Sequence, residues 1–233
     1  MKGKNPDICA QCKKPSCISP VICKNLNADH TPLLDIYKEV DSIPEIKRSF
    51  IGSGIRYDLL LHRYADDNLN KAAHTYMEEL IARHVSGRLK VAPEHTEDNV
   101  LKMMRKPSFE LFGQFKKIFD RVNKQHGLNQ QLIPYFISSH PGCTEADMAN
   151  LAIQTKKLHF QLEQVQDFTP TPMTLATEMY YTGYHPYTLE KVYTAHTKEQ
   201  KLAQRQFFFW YKPEFRRQIT QALQKIRKKD LIG

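Results

Sequence analysis

Glu94 and His95 stand at the tip of an apolar run, Leu89-Lys-Val-Ala-Pro-Glu-His95, which leads directly into a helical pattern. Val100, Leu101, Met103 and Met104 form the apolar face of that helix, and Arg105 follows them. Thr96 is placed to cap it, and Glu97 and Asp98 bring negative charge to its first turn. A carboxylate at the carboxyl end of a strand can accept hydrogen bonds from the hydroxyl or ammonium groups of a ligand. In barrel enzymes that end of the strand is where active sites are built.

A second unit of the same grammar is Ile133-Pro-Tyr-Phe-Ile-Ser-Ser-His-Pro-Gly-Cys-Thr-Glu-Ala-Asp-Met148. It sets Ser138, Ser139 and His140 at a strand end beside Gly142, with Thr144 as cap of the next helix. A Pro-Gly turn lets the backbone approach a ligand closely, because glycine has no side chain to obstruct it. A third, Phe168-Thr-Pro-Thr-Pro-Met-Thr-Leu-Ala176, uses alternate prolines to fix an extended exit. Arg56, in Ser53-Gly-Ile-Arg-Tyr-Asp58, supplies a guanidinium that can meet a carboxylate.

Five cysteines are present, and Cys9-x2-Cys12-x4-Cys17-x5-Cys23 crowds four of them into a Pro-rich segment, leaving Cys143 alone. The odd count, the tight cluster and an N-terminus without an apolar signal region argue against a disulfide framework. Two readings remain for the four thiols: an auxiliary iron–sulfur or zinc site, or reduced thiols with no metal.

The elements that must position these residues alternate. Strands are expected at Arg48–Ser53, Arg88–Ala92, Gln131–Ser138 and Gln164–Thr169. Helices are expected from Thr31 to before Pro44, then over Asp67–Arg83, Thr96–Arg105, Phe109–Gln125, Thr144–Leu158 and Leu175–Tyr180. That alternation implies an α/β fold with parallel pairing. Beyond it, Lys198–Ile232 reads as two helices broken at Pro213. Three regions follow: a cysteine-rich segment over 1–30, an α/β region over 31–180 and a basic, mainly helical region over 181–233.

The 233 residues are 41% hydrophobic and 25% charged, which suits a globular chain. No run of apolar residues is long enough to span a membrane, and a cytoplasmic location is expected. The formal charge is +9, with Lys212, Arg216, Arg217, Lys225, Arg227, Lys228 and Lys229 near the C-terminus. Such an excess fits either a solvated basic surface or a nucleic-acid partner. Phe207, Phe208, Phe209, Trp210 and Tyr211 adjoin it, as stacking platforms or as the apolar face of a docking helix.

Taken in order, the units resemble the second half of the radical S-adenosylmethionine (SAM) barrel. Glu97-Asp-Asn-Val-Leu-Lys-Met-Met-Arg105 resembles the segment after its fourth strand, Ser139-His-Pro-Gly-Cys-Thr144 the fifth strand's exit, and Pro170-Thr-Pro-Met-Thr-Leu-Ala176 the sixth. Ser53-Gly-Ile-Arg-Tyr-Asp58 resembles the exit of the third. With Cys23-Lys-Asn-Leu-Asn-Ala-Asp-His-Thr-Pro-Leu-Leu34 and the tail Lys228-Lys-Asp-Leu-Ile-Gly233, the chain is similar throughout to the YgiQ-type radical SAM proteins. The resemblance implies a partial (β/α) TIM-like barrel of strands 3 to 6, with SAM and a 4Fe–4S cluster as cofactors of the intact enzyme. It implies SAM or substrate contacts from Arg56, Glu94, His95, Ser138, Ser139, His140 and Gly142; Cys9, Cys12, Cys17 and Cys23 follow another pattern, and only their short spacing makes them candidate metal ligands of an auxiliary site. The cluster motif of that family, Cys-x3-Cys-x2-Cys, is missing, since no two cysteines here are four apart. The chain therefore looks like a C-terminal portion, not catalytic alone, that works with a separate N-terminal half.

Overall fold

The computed structural model describes residues 3–231. Met1 and Lys2 of the cysteine-rich segment, and Ile232 and Gly233 of the tail, lie outside the described residues. In chain order the elements are α1 (Pro6–Ala10), α2 (Thr31–Asp41), α3 (Tyr57–Leu60), α4 (Asp67–Arg83), β1 (Arg88–Glu94), α5 (Asp98–Met103) and α6 (Phe109–Gln125). There follow β2 (Gln131–Ser138), α7 (Glu145–Lys157), β3 (Gln164–Asp167), α8 (Leu175–Thr182), α9 (Lys198–Arg205) and α10 (Arg216–Lys225). The strands form a small α/β sheet in the order β1-β2-β3, with β2 and β3 parallel and Ser138 opposite Asp167 at the carboxyl end. Among the described residues no helix is long and apolar enough to cross a membrane.

The chain divides into two compact units, residues 1–90 with 110–132 and residues 91–109 with 133–233. In the first, α4 opens on Asp66, whose side chain accepts from the Asn68 amide (2.9 Å). Its buried residues Leu69, Ala73, Tyr76, Met77, Leu80 and Ile81 repeat at helical spacing and make one stripe. Helix α6 buries Phe112, Phe115, Phe119 and Val122 in the same way, and Tyr57 of α3 packs on Phe112 and Phe115, with centroids 6.1 and 5.6 Å away. In the second unit, Val100, Phe136, Met148, Leu151, Phe207 and Phe208 belong to one buried cluster. Each such side chain contributes roughly 1.5–3 kcal/mol by leaving water.

Most expected elements form, β2 and α6 at their expected limits. Three differences have physical causes. The strand expected at Arg48–Ser53 does not form. Phe50 is 47% exposed there, and Gly52 and Gly54 deny the segment side chains to pack; its Ile51 amide bonds instead to the His84 carbonyl (2.8 Å). The expected Thr96 cap is replaced. Glu97 takes the N-cap position without a side-chain cap bond, and its carboxylate accepts instead from Asn150 Nδ2 (2.8 Å) and Thr96 Oγ1 (3.3 Å). The C-terminal helices also stop early at Arg205, where a 3-10 turn over Gln206–Phe209 drives Phe207 and Phe208 into the core. Those two rings are thereby removed as stacking platforms for nucleic acid.

Candidate functional site

The carboxyl ends of all three strands belong to the second unit. Glu94 is the last residue of β1 and Ser139 the first after β2, and both are left-handed, with φ of 69° and 61°. Non-glycine residues adopt that conformation at a cost of about 1–2 kcal/mol, and such strain gathers at ligand sites. Met173, in the loop after β3, is left-handed as well (φ 64°) and fully exposed.

The side chains of Glu94 and Ser139 share a second property: each buries an oxygen, Glu94 Oε2 and Ser139 Oγ, that has no hydrogen-bond partner. An orphaned buried polar atom costs about 1–3 kcal/mol. The other carboxylate oxygen, Glu94 Oε1, meets Lys106 Nζ at 3.2 Å, and Lys106 also reaches the Ala92 carbonyl (3.4 Å). Burial pushes the Glu94 carboxyl above its ordinary range, and Lys106 only partly opposes this. Tyr135, on the neighbouring strand β2, senses the same charge and is itself pushed up, first by burial and then by Glu94. Its hydroxyl donates to Gln166 Oε1 of β3.

The other predicted residues at these tips are engaged within the fold. Ser138 Oγ donates to Asp167 Oδ1 (2.5 Å), and Asp167 Oδ2 accepts from Arg205 Nη1 (3.1 Å). The Ser139 amide donates to Gln204 Oε1 (2.8 Å), while Gln204 Nε2 donates to the Cys143 carbonyl (2.7 Å). Gln204 is fully buried, so one amide holds the Ser139–Cys143 turn at both ends. His140 is buried, with Nδ1–H donating to the Pro141 carbonyl (2.8 Å) and the ring against Phe168 (centroids 5.1 Å). His95 is completely buried. Because its Nδ1 accepts from the Glu97 amide, its proton lies on Nε2 and points at Cys143 Sγ (3.5 Å). Burial lowers His95 to about 3 and His140 to about 4 and raises the Cys143 thiol. Gly142 has φ 87°, and a Cβ there would lie 3.0 Å from Met103 Cγ, so its glycine serves the turn itself.

Arg56 belongs to the first unit. Its guanidinium fork is taken by Asp58 through Nε (2.9 Å) and Nη2, so a ligand carboxylate would have to displace that pair. The cysteines of the same unit are free thiols, Cys9, Cys12 and Cys17 exposed and Cys23 half-buried. Asn25 Nδ2 donates to Cys9 Sγ (3.2 Å) and the Lys14 amide to Cys12 Sγ (3.4 Å). Among the described residues no three His, Cys, Asp or Glu side chains are gathered at ligating distance.

Sequence reading passed over Lys106, Asp167, Gln204 and Arg205. Asp167 carried a signal, as an acid ending the third strand pattern. Lys106 lies a whole helix beyond its partner, and Gln204 looked like any polar residue of a basic amphipathic helix.

Residues 163–233 match a family described as a domain of unknown function (DUF3362). The whole chain is similar to proteins named UPF0313. It is 67% identical over 232 residues to one from Bacteroides thetaiotaomicron and 66% identical over 233 residues to one from Porphyromonas gingivalis, covering 100% of this chain in each case. A Clostridium perfringens relative is 44% identical over 222 residues. The chain spans 37%, 37% and 32% of the length of these three relatives.

Proposed function

We propose, from the full-length similarity to a part of the UPF0313 proteins, that this chain is the C-terminal portion of a radical SAM iron–sulfur enzyme of the YgiQ type. In this reading β1, β2 and β3 stand for the fourth to sixth strands of a (β/α) barrel. The observation that carries it is the pair Glu94 and Ser139: left-handed residues at the carboxyl ends of neighbouring strands, each with a buried oxygen left unpartnered. Glu94 Oε2 is an acceptor suited to the ribose hydroxyls or the methionyl ammonium of SAM, and Ser139 Oγ can both donate and accept. Lys106 and Gln204 hold the two residues from behind.

When bound in the whole enzyme, SAM and a 4Fe–4S cluster supply the radical chemistry. This chain lacks the ligand spacing for that cluster, so its contribution is to bind, orient and shield. The cluster falls to a separate N-terminal portion, as the third-length coverage of the relatives supports. An auxiliary metal at Cys9, Cys12, Cys17 and Cys23 would require those thiols to close together on binding.

The test is a titration of the isotope-labelled chain with SAM, followed by amide chemical shifts. Saturable shifts at Glu94 and Ser139, weakened at least tenfold in Glu94→Gln, are expected. Titrations of Glu94→Gln and Ser139→Ala indistinguishable from wild type would rule the assignment out, as would shifts confined to other residues.

A further inference from the structure

We propose that the first unit binds a mononucleotide, in a cavity of about 400 Å³ whose lining includes Lys47, Arg48, Phe50, Arg83 and Gln130. All of these residues belong to that one unit. None of them takes part in the SAM reading, so either proposal can fail alone.

The charge of the lining is positive. Three cations face one carboxylate, Asp41. Asp41 Oδ1 already accepts from Ser49 Oγ (2.7 Å), and the Ser49 carbonyl in turn accepts from His84 Nδ1 (3.0 Å). Arg83 Nε pairs with Glu79 Oε1 (3.3 Å), whereas Lys47 and Arg48 form no ion pair among the described residues. Neighbouring cations without a counter-charge repel, and an anion held by both removes that repulsion. A phosphate monoester brings up to two negative charges and three terminal oxygens, and a guanidinium fork can hold two of those oxygens at once.

The last turn of α4 also lines the cavity, and a helix C-terminus ordinarily repels an anion. Here its carbonyls are taken. Ile81 and Val85 accept from Gln130 Nε2 (3.0 and 3.5 Å), and His84 accepts from the Ile51 amide (2.8 Å).

That pairing orients Gln130. Because Nε2 faces two carbonyls, the amide oxygen must point the other way. Gln130 Oε1 is buried and has no hydrogen-bond partner. A buried acceptor in the wall of a cavity is satisfied by a ligand donor, such as a ribose hydroxyl or the amino group of a base. Phe50 completes the set: its ring lines the cavity and is 47% exposed, and an exposed aromatic face stacks a base. Cations, acceptor and ring match the phosphate, the donor groups and the base of a nucleotide. A sugar phosphate would leave Phe50 unused, and a nucleoside would leave Lys47 and Arg48 without a counter-charge. The volume falls in the range of small-molecule sites.

Isothermal titration of the full chain with AMP tests the proposal, with inorganic phosphate and adenosine as comparison probes. Saturable binding of AMP, tighter than that of either part, is expected. Replacing Lys47 and Arg48 together by glutamine should weaken AMP binding about tenfold or more. Phe50→Ala should weaken AMP binding about tenfold and leave phosphate binding unchanged. Glu94→Gln should bind AMP as wild type does. Lys47, Arg48 and Phe50 are exposed, so the variants keep the fold, which circular dichroism verifies. Absence of saturable AMP binding would overturn the proposal, as would phosphate binding as tight as AMP, or undiminished AMP binding in both altered forms of the cavity. Loss of AMP binding in Glu94→Gln would place the nucleotide at the strand ends and overturn it equally.

Discussion

Acidification toward pH 5 should destabilise the second unit, because His95 and His140 are buried as neutral imidazoles. The sign follows from proton counts. With folded values near 3 and 4 against an unfolded value near 6.5, the unfolded chain binds more protons throughout the interval. Stability from these groups is complete above about pH 6.5 and is lost as pH falls toward the folded values. Each unit below that point costs about 1.4 kcal/mol per histidine, so pH 5 costs about 2 kcal/mol for each and about 4 kcal/mol for both. Set against a typical domain stability of about 5–15 kcal/mol, that is a large fraction. Glu94, raised by burial, acts in the opposite sense and subtracts from the slope at the acid end. The assay is urea unfolding between pH 7 and 5, followed by fluorescence of Trp210. This is the single tryptophan of the chain, and it lies in the unit that holds both histidines. The probe matters because His30, in the other unit, is also pushed down by burial. In His140→Gln the slope should fall to about half, which a merely structural role for His140 would not produce. A flat profile in wild type, or an unchanged slope in His140→Gln, would refute the reasoning.

Ser139→Gly should raise stability by about 1 kcal/mol, since it relieves a left-handed backbone and removes an orphaned buried hydroxyl, while SAM binding weakens; thermal melts and the amide titration read the two effects in one variant. Gly142→Ala should cost about 1–3 kcal/mol, because φ is 87° and the new methyl meets Met103; equal melting of variant and wild type would contradict this. Replacing Cys9, Cys12, Cys17 and Cys23 together by serine should change stability by less than about 0.5 kcal/mol, as no thiol of the four is buried. A large loss in urea unfolding would mean that metal at these thiols is a condition of the fold.

What was legible in the sequence were features with a local cause. The period of α4 and α6, the alternation of β2 and the Thr144 cap, whose box with Asp147 closes at 2.6–3.3 Å, depend on neighbours a few residues away. Glu94 and Ser139 were also reachable, because strand-end position alone marked them. His95 and His140 shared that position, and only burial separates them from Glu94: the same strand-to-helix grammar places one polar side chain at the tip and its neighbour in the core. His84 shows the converse. It follows Arg83 at the end of a helix, where a histidine ordinarily complements the helix dipole, and nothing nearby in sequence points to Ser49 or Asp41. Its buried Nε2, left without a hydrogen-bond partner, becomes visible only when α2 and α4 pack together. The residues whose chemistry is hardest to foresee in this chain are therefore those whose partners arrive from another element, and the candidate site at the strand ends is finished by such residues, Lys106 and Gln204 behind Glu94 and Ser139. A backing residue of this kind fixes where a lone pair or a proton points, and that orientation is what separates a binding group from a polar side chain that merely closes a loop.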